Sequence, residues 1–189
     1  IIGVVFAKTI NMTAMPQMVA IFNGLGGGAS ALVASGQYHK LTSASSEIGI
    51  EYTITIMLGA LIGSVTLSGS LIAFGKLQGI LTSNAISSKM IKLLNPILFI
   101  LIIAIIATLI VSPNNSTLYL ALIIVSLILG VSLVMPIGGA DMPVVIALLN
   151  SYSGMAAAAT GFALDNLLLI MSGSLVGASG FILTQIMCT

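Results

Sequence analysis

Charge is what this chain has least of. Its 189 residues include five Lys, no Arg, four acidic residues and one His. That makes 5% charged, where soluble domains carry about 25%, and it excludes an aqueous single domain. A formal net charge of +1 also offers no basic patch to hold phosphates, so a nucleic-acid binder is excluded. Cys188 is the sole cysteine, which rules out a disulfide framework and any Cys-built zinc or iron–sulfur site. One His and four carboxylates leave little for metal or hydrolytic chemistry. Glycine-rich GLGGGAS falls inside an apolar stretch, outside the βαβ context that a dinucleotide site requires. No soluble-cofactor site is expected on this chain.

What is present is mostly hydrocarbon: 58% of residues are hydrophobic and the mean hydropathy is +1.24. Crossing a bilayer takes roughly 20 apolar residues as a helix. Six segments reach that length, at about 15–35, 48–74, 91–111, 118–135, 143–161 and 166–187. Their ends carry breakers: Pro16 and Pro143 in first turns, Ser112-Pro113-Asn114-Asn115 and Pro136-Ile137-Gly138-Gly139 between spans. The ten-residue polar–apolar alternation of membrane β-strands is missing. The reading is an all-α polytopic transmembrane bundle of about six full spans. Ile1–Ala7 reads as the remnant of a further helix, and the chain as a fragment or one subunit of something larger.

Alternate loops fall on two sides. One side holds Lys8, Lys76, Lys89 and Lys92 with Asp141 and the C-terminus; the other holds His39, Lys40, Glu47, Glu51 and Asp165. Four Lys against one place the first side in the cytoplasm or the mitochondrial matrix.

Polar groups at membrane depth are costly, which makes them functional candidates. Asn23 lies seven residues beyond Pro16, and Asn150 seven beyond Pro143. Each is therefore about 10 Å from the Lys-rich end. An amide both donates and accepts, so the pair can relay hydrogen bonds or simply glue helices. Asp141, in PIGGADMP, suits a helix N-cap or a proton-exchanging carboxylate at the Lys-rich mouth. Ser70 is expected to bond back to an i−4 carbonyl, and His39 to be solvated in the polar loop GQYHKLTSASSE. Gly24 and Gly28, Gly59 and Gly63, and Gly173 and Gly177 stand at helix-packing spacing. The run Gly26-Gly27-Gly28 calls for a very close neighbour or a loosened helix. The methionines read as packing.

Four stretches carry a resemblance: Asn11–Ala31 (NMTAMPQMVAIFNGLGGGASA), Gly63–Gly79, Gly138–Leu164 (GGADMPVVIALLNSYSGMAAAATGFAL) and Ser172–Cys188. They resemble the membrane domain of the beta subunit of proton-translocating nicotinamide nucleotide transhydrogenases. The resemblance covers nearly the whole chain except the divergent third and fourth spans. It implies that residues 1–189 form a proton-translocating membrane domain, with a soluble NADP(H)-binding domain following residue 189. Hydride would pass from NADH to NADP⁺ outside the membrane, coupled to inward proton movement. This chain would bind no cofactor itself, NADP(H) and NAD(H) being held by partner soluble domains. The implied partners are an NAD(H)-binding alpha subunit with its own membrane helices, the NADP(H) domain, the lipid bilayer and a second copy of the full enzyme. The implied location is the bacterial plasma membrane or the mitochondrial inner membrane.

Carried over by residue, Asp141 matches a loop carboxylate that couples to the NADP(H) domain, and Asn150 a channel asparagine. Ser70 matches a serine near the pathway, and Gly173, Gly177 and Gly180 match a glycine face that lets helices shift. Many such proteins carry a proton-bearing His where this chain has Asn23. The NG-GGG variant implies that the His stands on a helix of the other subunit or segment. The rival reading is a secondary transporter of a small solute, built on broken helices. A third is an assembly subunit in which the Asn pair is glue.

Overall fold

A computed structural model describes residues 11–43, 49–85 and 89–188. Ile1–Ala7, Lys8, Glu47 and Thr189 lie outside the described residues, as do the side chains of Lys89 and Lys92. The elements are α1 (Met15–Ser43), α2 (Ile50–Leu77), α3 (Lys89–Val111), α4 (Ser116–Val134), α5 (Met142–Ala163) and α6 (Leu167–Met187). Single 3-10 turns stand at Met12–Ala14 and Gly139–Asp141. Among the described residues, six helices are long and apolar enough to cross a membrane, so the chain is a polytopic helical bundle. Asn115 and Asn166 begin α4 and α6 by accepting from the N–H groups of Leu118 and Leu169.

One boundary differs substantially from the sequence reading. Residues 36–43, expected as loop, continue α1 as helix and carry His39 and Lys40 with them. Tertiary contacts explain the extension. Tyr38 is 3% exposed and stacks on Tyr119, with ring centroids 4.0 Å apart and planes 5° from parallel. Its hydroxyl donates to the carbonyl of Pro113 at 2.8 Å, and Gln37 donates to that of Ala163 at 3.3 Å. His39 itself is exposed.

The centre of the bundle is α2, which packs against α1, α4 and α5. In contrast, α6 packs on α5, and α3 mainly on α4. An apolar environment supplies no hydrophobic drive between helices, so close backbone approach decides which faces meet. A Cβ on Gly63 would stand 2.5 Å from the carbonyl oxygen of Gly27, and one on Gly27 would meet Thr66 Cβ at 2.8 Å. The close neighbour required by the glycine run is therefore α2. Gly26 faces outward with nothing near it, and α1 stays helical through the run.

A second seam joins α5 to α6. A Cβ on Gly173 would meet the backbone of Ala158 at 2.5 Å, and one on Gly180 the Ser151 nitrogen at 2.9 Å. Gly177 has more room on its own side, its nearest neighbour being the Ser151 carbonyl at 3.4 Å. Of the methionines, Met57 and Met142 are fully buried, whereas Met12, Met155 and Met171 lie on the outside.

Alanine substitutions separate seam from surface. Gly63→Ala should destabilise by about 1–3 kcal/mol through overpacking. Gly26→Ala should be neutral or stabilise by up to about 1 kcal/mol, from helix propensity alone. Thermal unfolding of the detergent-purified protein checks both, and equal effects at the two positions would contradict the seam.

Candidate functional site

Asn23 is brought to α2 and α5 by the glycine seam itself. Gly24 and Gly27 carry no side chain, so α1 lies close enough for a short amide to reach a serine hydroxyl on α2. Asn23 Nδ2 donates to Ser70 Oγ at 3.0 Å, and Ser153 Oγ donates to Asn23 Oδ1 at 2.7 Å. Three helices are thus joined through one amide and two hydroxyls. Asn23 is 7% exposed and Ser70 0%. By helix rise, Asn23 stands about 12 Å from the start of α1 and Ser70 about 10 Å from the end of α2. Both ends are at the same side of the bundle.

The expected back-bond from Ser70 to an i−4 carbonyl is not seen; instead the Ser70 oxygen accepts from the amide of Asn23 on the neighbouring helix. Thr66 and Thr160 do bond back to Ile62 and Ala156, in the manner expected of Ser70.

Asn150 does not bond to Asn23. It is half-buried on α5, and among the described residues its amide has no hydrogen-bond partner. It precedes Ser153 by three residues and so lies on the same face, one turn nearer the helix start. Ser153 was missed in the sequence reading. The clue was present in LLNSYSG, where the second serine falls at i+3 from the asparagine.

Asp141 occupies the N-cap position of α5 but makes no capping hydrogen bond, and it is exposed. Its backbone, with φ −90° and ψ 1°, is not in the extended conformation usual for a cap. The cap reading is therefore set aside, and the carboxylate stands free of the helix at the mouth.

Gly173, Gly177 and Gly180 are buried along one face of α6 and contact α5 near Ser151, Gly154 and Ala158. Ser151 adds a hydrogen bond to the carbonyl of Gly177 at 2.6 Å. They lie on the flank of α5 away from Asn23 and do not join its cluster.

Lys76 departs most from expectation. Placed by the sequence among the loops of the Lys-rich side, it is 1% exposed, and its Nζ donates to the carbonyls of Met135 and Ile137, each at 2.6 Å. Its charge is spent inside the protein. Beside it an open recess of about 570 Å³ is lined by Lys76, Ser83, Asn84, Gly138, Gly139 and Ala140.

Among the described residues, no three His, Cys, Asp or Glu gather to hold a metal. The cluster of Asn23, Ser70 and Ser153 can order hydrogen bonds, but none of its groups titrates near neutral pH.

The family described as NAD(P) transhydrogenase beta subunit matches residues 1–189. Two relatives from Rhodospirillum rubrum, both called NAD(P) transhydrogenase subunit beta, are each 47% identical over 192 residues. The alignment covers 99% of this chain and 41% of each relative, so the chain spans about two-fifths of their length.

The bonding pattern separates the two amides by stability. Asn23→Leu strands the Ser70 hydroxyl and leaves Ser153 only its longer bond to the Asn23 carbonyl at 3.4 Å, and should cost about 1–3 kcal/mol. Asn150→Leu breaks no recorded bond and should stay within about 0.5 kcal/mol of the parent. Chemical denaturation in mixed micelles measures both, and a larger loss at Asn150 would contradict the assignment.

Proposed function

The chain belongs to the NAD(P) transhydrogenase beta-subunit family, and on that premise we propose that it forms the membrane proton pathway of a transhydrogenase. Inward proton movement through it is coupled to hydride transfer from NADH to NADP⁺ in soluble domains. The observation that carries this reading is the buried Asn23–Ser70–Ser153 chain, three polar side chains from three helices at one depth. Such a chain orders protons without holding one, so the titrating group comes from a helix of the other subunit or segment. Asn150, with hydrogen-bonding capacity to spare on the same face of α5, is the next step toward the mouth. Asp141 lies beyond it and couples the pathway to the NADP(H) domain.

On this reading residues 1–189 supply no nucleotide site. NADP(H) is bound by a soluble domain following residue 189, and NAD(H) by the alpha subunit or domain. The enzyme works as a dimer in the bacterial plasma membrane or the mitochondrial inner membrane, with the C-terminal side facing the cytoplasm or matrix. The solute-transporter reading drew on the Gly26–Gly28 run and the PIGGADMP loop; α1 runs unbroken through the run, which removes the first of these supports.

The test is NADP⁺ reduction by NADH in inverted vesicles containing the intact enzyme, with and without an imposed proton gradient. Stimulation that an uncoupler removes is expected. Asn150→Leu should abolish that stimulation while the enzyme still assembles, and Asp141→Asn should change the affinity for NADP(H). Normal coupled rates in Asn150→Leu would remove that residue from the pathway, and absence of transhydrogenation in the assembled parent would overturn the function.

A further inference from the structure

Among the described residues, Lys76 is the charged side chain drawn fully inside the protein, and nothing in the pathway proposed above uses it. Burying an ammonium is costly unless its donors are matched. Here two of them are matched by the carbonyls of Met135 and Ile137. Those carbonyls lie just past Val134, the last residue of α4. The final carbonyls of a helix lack intrahelical partners and carry its partial negative charge. A lysine from α2 therefore caps α4.

The capped stretch is also the loop that leads to Asp141, four residues beyond Ile137. A second tie holds the same loop. Gly139 donates its N–H to the carbonyl of Ser83 at 2.8 Å, and Ser83 Oγ donates to the carbonyl of Lys76 at 3.4 Å. A Cβ on Gly139 would meet Ser83 Cβ at 3.0 Å, so the two loops lie in contact. Six residues earlier on α2, about 9 Å along the axis, stands Ser70. One helix thus carries both a member of the buried polar cluster and the cation that holds the Asp141 loop.

We propose that Lys76 is a positioning residue: its buried ammonium pins the Pro136–Asp141 loop to α2, setting the height and orientation of Asp141 relative to the Asn23–Ser70–Ser153 cluster. Movement of α2 at the cluster is carried through the pin to the mouth of the bundle. This rests on the reading of Asp141 as the coupling carboxylate.

The experiment uses the full enzyme in lipid nanodiscs, comparing the parent with Lys76→Met, Lys76→Arg and Asp141→Asn. Hydrogen exchange of residues 135–141 reports the pin directly, and steady-state kinetics report NADP(H). Lys76→Met should speed exchange of that segment by about tenfold. It should also shift the KM for NADP(H) about fivefold in the direction that Asp141→Asn shifts it. A helix cap with no positioning role would lower stability without moving that KM. Lys76→Arg, which keeps the charge and offers two donors, should hold both values within about twofold of the parent.

Unchanged exchange in Lys76→Met overturns the pin. Faster exchange with an unmoved KM, while Asp141→Asn does move it, overturns the positioning role. If Asp141→Asn moves nothing, the coupling reading of Asp141 is what fails, and the positioning role falls with it; exchange still reports the pin separately. Should Lys76→Met fail to assemble, Lys76→Gln takes its place. Faster exchange with a KM shifted as in Asp141→Asn supports the proposal, and unchanged exchange, or faster exchange with an unmoved KM, overturns it.

Discussion

The bundle depends on the contact between the backbones of α1 and α2 at Gly27 and Gly63. Nothing else could bring Asn23 within reach of Ser70, because an asparagine side chain spans only a few ångströms. Had either glycine a side chain, the helices would separate by about the width of a methyl group, and the amide would lose a partner in a medium that offers no replacement. The polar cluster is thus a consequence of the apolar seam. The same logic operates between α5 and α6, where Gly154, Gly173 and Gly180 clear the way for Ser151 to reach the carbonyl of Gly177.

Around this seam the molecule is graded from centre to edge. Two-thirds of the most apolar window of α2 is buried (67%), against 17% for α6 and 22% for α3. The buried residues of α2 include small and hydroxyl-bearing ones, Gly59, Gly63, Ser64, Thr66, Ser68 and Ser70, which let three neighbouring helices close on it. The outer helices present Leu, Ile and Phe to their surroundings, as in Leu168, Leu175 and Phe181 on α6. Those faces suit lipid, and on the proposed function some of them meet the membrane helices of the alpha subunit. The charged groups are pushed to the ends, and Lys76 is drawn inward because two helix-end carbonyls wait there.

Much of this was legible beforehand for a physical reason. Span positions follow from continuous hydropathy, a summed property that needs no neighbour to define it, so apart from the C-terminal end of α1 the helices described emerge within a few residues of the expected limits. Where the expectation went astray, a neighbour decided. Residues 36–43 looked like loop because they are polar, yet Tyr38 stacks on Tyr119 and holds the helix together. Ser70 looked like a residue bonded to its own helix until Asn23 supplied a partner. Asp141 had the right residue type and place for a cap, and its backbone took another conformation.

The sequence by itself determined the helical membrane class, the number of spans, the rough depth of each polar residue and, through motifs such as GGADMPVV, the family. These properties are local along the chain: residue count sets length, and residue type sets solvent preference. Only the tertiary structure decided which polar groups meet. It joined Asn23 to Ser70 and Ser153, gave Asn150 no partner among the described residues, and turned Lys76 from a loop cation into a buried cap. Pairing depends on rotation and separation of helices remote in sequence, and those are set by which small-residue faces can touch.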